Sequence, residues 1–350
     1  MKTARQVGIV GYGAYIPRFR VTTRAIAEAW GRDGDGRLPV KEKSVPAIDE
    51  DTITMSIEAA RSAVARSGVP PDRIRAVWVG TESKPYAVKP SSTVVAEALG
   101  ATPWVSAADL EFACKAGSEA MQIACGYVGS GMADYAMGIG MDAAQSKPGD
   151  HLEFTAAAGG AAFLFGPATE GVAVVEASRS YVTDTPDFFR RQHMHYPEHG
   201  HRFTGEPSYF AHSRGASRGL LDDLGRRAAD YRWAVFHQPN PKFVRRIAHE
   251  LGFKEEQIAP STVVDRIGNT YSGASLLGLA AVLDVARAGD RIFFCSYGSG
   301  AGSDAFSLVV TERLESTRDA APSVSDYLAR RQPIDDYGTY LRITGKIRML

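Results

Sequence analysis

Hydrophobic positions repeat along this chain with two different periods. Residues 51–68, DTITMSIEAARSAVARSG, carry apolar side chains at helical spacing up to Gly68, which predicts an amphipathic helix. The apolar runs AVWVG, after a PPD turn, and GIVGYGAYIP, near the start, predict buried strands. Helix and strand patterns keep alternating beyond these segments, and this alternation is typical of an α/β fold.

The same order of patterns returns in the second half of the chain. The segment RGLLDDLGRRAADYR predicts a helix, and WAVF predicts a strand. AVWVG leads to Glu82 and WAVF leads to His237, while Cys114 and Asn269 each follow 32 residues later. Both pairs are therefore related by an offset of 155 residues, which predicts an internal duplication.

The duplication predicts where a functional site lies. After Cys114 and again after Asn269, small residues open a helical pattern that is followed by a strand and a glycine-rich end. In open α/β sheets, ligands bind beyond the carboxyl ends of the strands, where Glu82 and His237 both fall. If the two halves pack about a pseudo-twofold axis, all four residues become neighbours.

Composition limits the classes of protein that the chain can represent. With 350 residues, 44% of them hydrophobic, the chain suits two halves that share a core, predicted to cover 1–170 and 171–350. Lys+Arg and Asp+Glu both number 40, so bulk charge indicates neither a nucleic-acid nor a membrane partner. Three cysteines without CxxC spacing argue against a disulfide framework or a zinc ribbon, and predict a reducing cytoplasm.

The cysteine in EFACKAGSEA is the first candidate for chemistry. Cys114 precedes a predicted helix, whose free N–H groups and dipole would stabilise a thiolate and lower the pKa of the thiol. The alternative is an inert buried thiol, which is the interpretation that we favour for Cys125, within a helix, and Cys295, on an apolar strand.

The other three residues complete a plausible set for proton transfer. His237 has an ordinary pKa of about 6.5, close to neutral pH, and Glu82 in a closed apolar pocket would have a raised pKa and act as a base toward a weakly acidic carbon. Asn269 could donate an amide N–H to a developing oxyanion. Taken alone, each residue is more often structural. His237 would be a hydrogen-bonded structural histidine, Glu82 a solvated carboxylate and Asn269 an ordinary turn residue.

Two further stretches carry weaker signals. Asn240 and Pro241 predict a helix start, after which Lys242 and Arg246 share one helix face that suits a phosphorylated substrate, or is simply solvated. The stretch HMHYPEHGH contains four histidines that could bind a metal, His193, His195, His199 and His201. No cysteine or second cluster completes such a site, so we predict a polar loop without metal.

Eight short motifs occur in a fixed order: GTESKPYAVKPSS, EFACKAG, KPGDHLEFTAAAGGAAFLFG, TDTPDFFRRQ, HGHRFTGEP, FHQPN, IGNTYSGASLLGLAAVLD and GSGAGSDAF. Together they resemble the archaeal-type 3-hydroxy-3-methylglutaryl-CoA (HMG-CoA) synthases of the thiolase superfamily. The resemblance runs from GIVGYGAYIP to YGTYLRITGKI, nearly the whole chain. It implies a thiolase-like fold of two βαβαβαββ halves in five αβαβα layers, in agreement with the 155-residue offset.

The resemblance also implies a reaction. Cys114 would take an acetyl group from acetyl-CoA, and Glu82 would remove a proton from the acetyl methyl group. The enolate would attack the ketone of acetoacetyl-CoA, which His237 and Asn269 position, and His237 would protonate the alkoxide before water releases HMG-CoA for isoprenoid synthesis through mevalonate.

Further residues and partners are implied in the same way. Thr155, Arg202, Thr204 and Ser299 match positions that line the CoA and acyl pocket, and Lys242 and Arg246 match positions that contact CoA. CoA thioesters would be substrates, with no separate cofactor. The family implies a homodimer, and a complex with acetoacetyl-CoA thiolase and a small OB-fold scaffold protein.

Three alternatives remain. A ketoacyl-carrier-protein synthase III or a polyketide β-branching enzyme would share the fold, but decarboxylative condensation needs no carboxylate base such as Glu82. A silent thiolase-like scaffold has no reason to keep all four residue types at the repeat spacing. A hydrolase built on the histidine-rich stretch would need a bound metal.

Overall fold

Helices and strands alternate along the part of the chain that the structure describes. The computed structural model describes residues 1–32, 40–144 and 146–347, apart from the side chains of His201 and Arg202. The strands are Val7–Tyr15 (β1), Phe19–Thr22 (β2), Glu42–Val45 (β3), Ile74–Gly80 (β4), Ser106–Leu110 (β5), Tyr135–Ala143 (β6), Ala158–Pro167 (β7), Ala173–Val182 (β8), Phe188–Phe189 (β9), Glu198–His199 (β10), Trp233–Phe236 (β11), Arg291–Cys295 (β12), Gly302–Val310 (β13) and Gln332–Ile334 (β14). The α-helices are Thr23–Ala29 (α1), Thr52–Ser67 (α2), Ser91–Leu99 (α3), Ala116–Ser130 (α4), Ala211–Leu224 (α5), Pro241–Glu250 (α6), Glu255–Ile258 (α7), Val264–Ile267 (α8), Ala274–Leu283 (α9), Arg313–Thr317 (α10), Val324–Ala329 (α11) and Tyr337–Ile343 (α12).

Local sequence signals account for most helix boundaries. Helix α2 begins where the Asp51 carboxylate accepts the N–H of Thr54, and ends at Gly68 as predicted. Helix α6 begins after Asn240, whose side chain accepts two backbone N–H groups, with Pro241 in the first turn as predicted.

One predicted helix was wrong in its extent. The pattern RGLLDDLGRRAADYR predicts a helix through residue 232, but α5 ends at Leu224. Gly225 adopts the left-handed conformation with φ 59°, and its N–H bonds back to Asp222 and Leu221. The N–H of Arg226 also donates to the Leu221 carbonyl. These hydrogen bonds end the helix before the remaining charged residues of the pattern.

A nine-stranded sheet joins the two predicted halves, in the order β11-β12-β13-β8-β1-β7-β6-β4-β5. The halves meet where β1 and β8 pair antiparallel, Gly8 opposite Val174. On the first side β4 lies parallel to both β5 and β6, while β6 and β1 run antiparallel to β7. On the second side, β11, β12, β13 and β8 repeat the order of β4, β6, β7 and β1.

The core is divided into layers because both faces of each half-sheet are apolar. Ile292 and Phe294 of β12 point into a central cluster with α4 and α9, whereas Phe293 and Cys295 point into an outer cluster with α5 and α6. A third cluster lies between the first half-sheet and helices α2 and α3. The result is the predicted five-layered α/β arrangement, so the fold class is confirmed.

The two ends of the large sheet differ. The described residues of the second half contain no strand that corresponds to β5, because the chain next to β11 is irregular and short-helical. Ser261 covers the β11 edge by donating its hydroxyl to the carbonyl of Ala234. Among the described residues, strand β5 pairs with β4 alone and forms the other edge of the sheet.

The C-terminal extension returns to the first half. Strand β14 pairs parallel with β2, and β2 pairs antiparallel with β3, in a separate three-stranded sheet. Tyr340 of α12 packs in a small core with Ile26 and Phe154. No helix among the described residues is both long enough and apolar enough to cross a membrane.

Candidate active site

The Glu82 side chain lies just beyond the carboxyl end of β4. A buried carboxylate, Asp142 at the end of β6, holds this segment: its Oδ1 accepts the Thr81 hydroxyl at 2.7 Å, the Glu82 N–H at 2.9 Å and the Ser83 hydroxyl at 2.6 Å. Its Oδ2 accepts the N–H of Ser272 from the second half at 2.9 Å. Asp142 therefore fixes the Glu82 segment against the opposite half of the molecule.

Sequence reasoning did not assign a role to Asp142. Glu82 was singled out by its place after an apolar strand pattern together with the 155-residue offset, and Asp142, at the end of β6, offers only the first of these signals. Asp142 is fully buried, and its carboxylate accepts hydrogen bonds from both halves of the molecule. A buried acidic residue with this many partners at a strand end is uncommon.

The Cys114 turn repeats a backbone feature of the second half. Ala113 has a positive φ of 42°, and Gly268, 155 residues later, has φ 82°. Such a conformation is rare for a residue with a side chain and persists only where the surroundings enforce it. A residue with positive φ therefore precedes both Cys114 and Asn269, which extends the correspondence between the two segments to the sign of φ.

A pocket of about 270 Å³ opens between these segments. Its wall includes Glu82, Phe112, Ala113, Phe188, Arg190 and Ser299. Cys114 comes directly after the wall residue Ala113 in the sequence. It is 7% exposed and packs against Ala156 and Tyr271. Glu82 thus lines the pocket, and Cys114 is close enough for the Glu82 charge to act on its thiol.

Burial governs the acid strength of both groups. Burial, followed by the nearby Asp142 charge, raises the pKa of the Glu82 carboxyl well above its usual range, as predicted. Burial also raises the pKa of the Cys114 thiol, and the charges of Glu82, Asp142 and Asp187 raise it further.

The predicted lowering of the Cys114 pKa was therefore wrong. Helix α4 begins at Ala116 with Lys115 as its N-cap residue, so the thiol lies before the first turn of the helix. Burial and the charges of three carboxylates instead disfavour the thiolate and raise the pKa of the thiol.

His237 directly follows β11 and is 2% exposed. Its ring lies 6.2 Å from the ring of Tyr297, whose hydroxyl donates to Asp187 at 2.7 Å. The imidazole Nδ1 is buried without a hydrogen-bond partner. Burial lowers the pKa of His237 to about 3, so the expectation of a pKa close to neutral pH was wrong and the ring is a neutral imidazole there.

Asn269 is held by the backbone on both sides. Its N–H donates to the Thr155 carbonyl at 2.7 Å, and its carbonyl accepts the Ala157 N–H at 2.9 Å. The side-chain Oδ1 accepts the Tyr271 N–H at 2.9 Å, which leaves the amide NH₂ group as the free donor.

The other predicted pocket residues fall into two groups. Thr155 adjoins Asn269, Ser299 lines the pocket, and the Thr204 hydroxyl donates to the Asp187 carbonyl at 3.4 Å. The side chain of Arg202 lies outside the described residues.

Lys242 and Arg246 lie on an exposed face of α6 and do not line this pocket. Arg246 stacks over the Phe210 ring at 4.0 Å and pairs with Glu206 and Glu250. An exposed helix face is what the simpler of the two interpretations predicted, and contact with CoA there stays a prediction.

Within the histidine-rich stretch, Glu198–His199 (β10) pairs with Phe188–Phe189 (β9), which lines the pocket. Within the described residues, no group of three or more histidine, cysteine or acidic side chains has an arrangement that could hold a metal ion.

Comparisons with known proteins agree with this geometry. Residues 221–310 match the family described as 3-oxoacyl-[acyl-carrier-protein] synthase III, C-terminal. The chain is 58% identical to the hydroxymethylglutaryl-CoA synthases of Pyrococcus furiosus and Thermococcus kodakarensis, in each case over 347 residues that cover 99% of this chain and 98% of the relative. A solved structure, MvaS in complex with 3-hydroxy-3-methylglutaryl coenzyme A, superposes with a TM-score of 0.87 at 24% identity, covering 99% of this chain and 93% of that one. This structural likeness shows the thiolase-like fold.

Proposed function

The chain belongs to the hydroxymethylglutaryl-CoA synthase family, and we propose that it catalyses the condensation for which this family is named. Acetyl-CoA and acetoacetyl-CoA are the substrates, and HMG-CoA and CoA are the products. One observation carries the proposal: Glu82, a carboxyl group with a raised pKa, lines the pocket whose wall at Ala113 directly precedes the buried thiol of Cys114, and its charge acts on that thiol.

The first step transfers the acetyl group. The sulfur of Cys114 forms a bond to the acetyl carbonyl carbon, the thioester C–S bond breaks, and CoA leaves with the proton of the thiol. Because the free thiol has a raised pKa, this proton is removed only as substrate binds, and free thiolate does not accumulate at neutral pH.

The second step forms the new carbon–carbon bond. Ionised Glu82 removes a proton from the methyl group of acetyl-Cys114, and the resulting carbanion attacks the ketone carbon of acetoacetyl-CoA. The free NH₂ group of Asn269 and the neutral ring of His237 donate to the ketone oxygen as its negative charge develops. The proton passed to the alkoxide through His237 balances the one that Glu82 removed.

The third step restores the enzyme. Water adds to the Cys114 thioester carbonyl, the C–S bond breaks, and HMG-CoA leaves with a free carboxylate while the thiol regains its proton. Tethering the acetyl group makes the condensation effectively intramolecular, which increases its rate. No cofactor is required besides the CoA thioesters.

The family match to carrier-protein synthase III favours one alternative, a decarboxylative condensing enzyme. That reaction obtains its carbanion by losing carbon dioxide, so it has no use for a base. The backbone N–H of Glu82 is bound by Asp142, and the pKa of the Glu82 carboxyl is raised. Both features support a reaction in which Glu82 removes a proton. A scaffold without activity would have no reason to place Glu82, with its raised pKa, where its charge acts on the Cys114 thiol.

Mass spectrometry of the intact protein tests the proposal. After mixing with acetyl-CoA alone, the wild type should gain one acetyl group that is absent from Cys114→Ser. Glu82→Gln should still take up the acetyl group but form no HMG-CoA with acetoacetyl-CoA. An unmodified wild type would exclude the synthase mechanism, and normal condensation by Glu82→Gln would remove Glu82 from it.

The partners implied by the family belong to this proposal too. A homodimer is supported by β5, an edge strand of the large sheet. A complex with acetoacetyl-CoA thiolase and a small OB-fold scaffold would deliver acetoacetyl-CoA directly. All three cysteines are free, and since Cys114 must stay a thiol, a reducing compartment such as the cytoplasm suits the reaction.

A further inference from the structure

Lys115, the residue after Cys114, is a lysine with no solvent exposure. Its Nζ lies 3.0 Å from Oδ2 of Asp304, contacts the carboxylate of Glu119, and sits 4.5 Å from the centre of the Phe112 ring. A buried ammonium group is tolerated only when it is paired, so these contacts are conditions for the local fold.

Asp304 lies on β13 in the second half and is also fully buried. Its Oδ2 accepts the hydroxyl of Ser118 at 2.6 Å, and its Oδ1 accepts the hydroxyl of Ser180 at 2.6 Å. The carboxylate is thus fixed from several sides. The ion pair between Lys115 and Asp304 therefore connects the Cys114 turn to a rigid strand of the other half.

The loop that carries Ser299 is packed on the same lysine. A methyl group added to Gly298 would lie 2.5 Å from Cβ of Lys115, and one added to Gly302 would lie 2.8 Å from the Phe112 ring and 3.1 Å from Cδ of Lys115. The stem of Lys115 is therefore clamped between two backbone segments, which leaves no room for the turn to shift.

These contacts explain how the unusual backbone at Ala113 is maintained. With φ 42°, Ala113 needs an external restraint, and the Lys115 N–H bond to the Phe112 carbonyl at 2.9 Å closes the turn only locally. The buried ion pair supplies the restraint from the second half of the molecule.

We propose that Lys115 is a positioning residue: its buried ion pair with Asp304 fixes the Cys114 turn against the Ser299 loop and so sets the direction of the thiol relative to the pocket. The inference rests on the proposed role of Cys114 as nucleophile. Lys115 does not itself touch the reacting atoms, because its ammonium group is directed at Asp304 and Glu119.

Three variants test the proposal: Lys115→Met, Asp304→Asn and the double variant. Lys115→Met leaves the Asp304 carboxylate without its cation, and Asp304→Asn leaves Lys115 with the partly exposed Glu119 as its remaining partner. The double variant removes both charges of the pair and should recover much of the lost thermal stability. If the ion pair positions the Cys114 turn, the turn remains loosened in the double variant even though stability is recovered. We expect kcat to fall about tenfold or more in all three, with the KM for acetyl-CoA within about twofold of wild type.

Hydrogen exchange of the backbone amides of residues 111–117 measures how well the Cys114 turn is held, independently of enzyme activity. Asp304→Asn, a change in the second half, should speed exchange in this segment by about tenfold. Asp284→Asn is the matched control, because it breaks the buried pair with Arg66 at 3.9 Å, away from the pocket. It should lower thermal stability but leave exchange at 111–117 and kcat as in the wild type.

Two results would overturn the inference. One is unchanged exchange at 111–117 in Asp304→Asn. The other is a double variant whose kcat recovers together with its thermal stability, which would mean that the pair only stabilises the fold. Failure of the proposed function appears differently, as a wild-type protein that takes up no acetyl group, and the exchange measurement is independent of that outcome.

Discussion

The charges nearest to the Cys114 thiol are carboxylates. Glu82, Asp142 and Asp187 all raise its pKa in addition to burial, and the lysine beside it is occupied by its own acidic partners. The site therefore keeps a neutral thiol until a substrate arrives, in contrast to cysteine enzymes that store a thiolate.

The raised pKa of Cys114 predicts the pH dependence of its reaction with iodoacetamide. Only the thiolate reacts, so a raised pKa shifts the rise in rate to higher pH. Peptide mapping at increasing pH should show slow labelling of Cys114 at neutral pH, and a rate that is still rising above pH ~9. A plateau already reached near neutral pH would contradict this.

Asp142 predicts a shift in the pH profile of condensation. Glu82 must be ionised to act as a base, so the rate rises with pH through its pKa. Asp142→Asn removes one cause of the raised pKa, and the acidic limb of kcat/KM for acetoacetyl-CoA should move to lower pH. Thermal stability should also fall, because the Ser272 N–H loses its carboxylate acceptor.

The control for this profile is Glu58→Gln, an exposed change on α2. It should leave the acidic limb in place. A limb that stays unmoved in Asp142→Asn would show that the Asp142 charge does not act on Glu82 during the reaction.

At the scale of elements, the start of α4 depends on close approach between the halves. A Cβ at Gly117 would lie 2.4 Å from the Ser272 carbonyl oxygen and 2.8 Å from Cα of Gly140. Such contacts bring the Cys114 segment against the Asn269 segment, which is why small residues open both helices.

Two glycines of α4 give opposite predictions for substitution by alanine. Gly117→Ala should lower the free energy of unfolding by about 1–3 kcal/mol, because the added methyl group forces the halves apart, and should slow acetylation. Gly126→Ala meets nothing within 4 Å and lies on the exposed side of the same helix, so it should stabilise by about 0.5–1 kcal/mol. Denaturant unfolding of both variants measures the contrast, and equal effects would contradict it.

The limits of sequence-based prediction are visible in the elements. Strand β11 and the α2 and α6 boundaries follow from apolar runs, caps and glycine, so they were predicted correctly. The helix predicted through residue 232 extended too far, because the prediction ran past Gly225, a stop signal of the same kind as Gly68. The missing counterpart of β5 was equally invisible, since strand formation depends on which neighbour is available.

At the scale of the whole molecule, the edge strand β5 predicts a dimer. Antiparallel pairing of two copies about a twofold axis would place Ala108, at the middle of β5, opposite its own copy. Light scattering should give a mass of twice 37.7 kDa for the wild type. Ala108→Glu would set two like charges against each other and should yield monomers, whereas Ala320→Glu, at an exposed position away from the sheet, should remain dimeric. Wild-type monomers would contradict the prediction.

Sequence alone determined the α/β class, the duplication, and four candidate residues at matching positions, because periodicity, caps and spacing are local properties that survive in one dimension. The tertiary structure decided the electrostatics: the thiol pKa is raised, His237 is a neutral imidazole, and Asp142 and Lys115 are buried at the site. These properties depend on burial and on charges from distant segments. For this reason the sequence could identify the candidate groups, but not the protonation states that their surroundings impose.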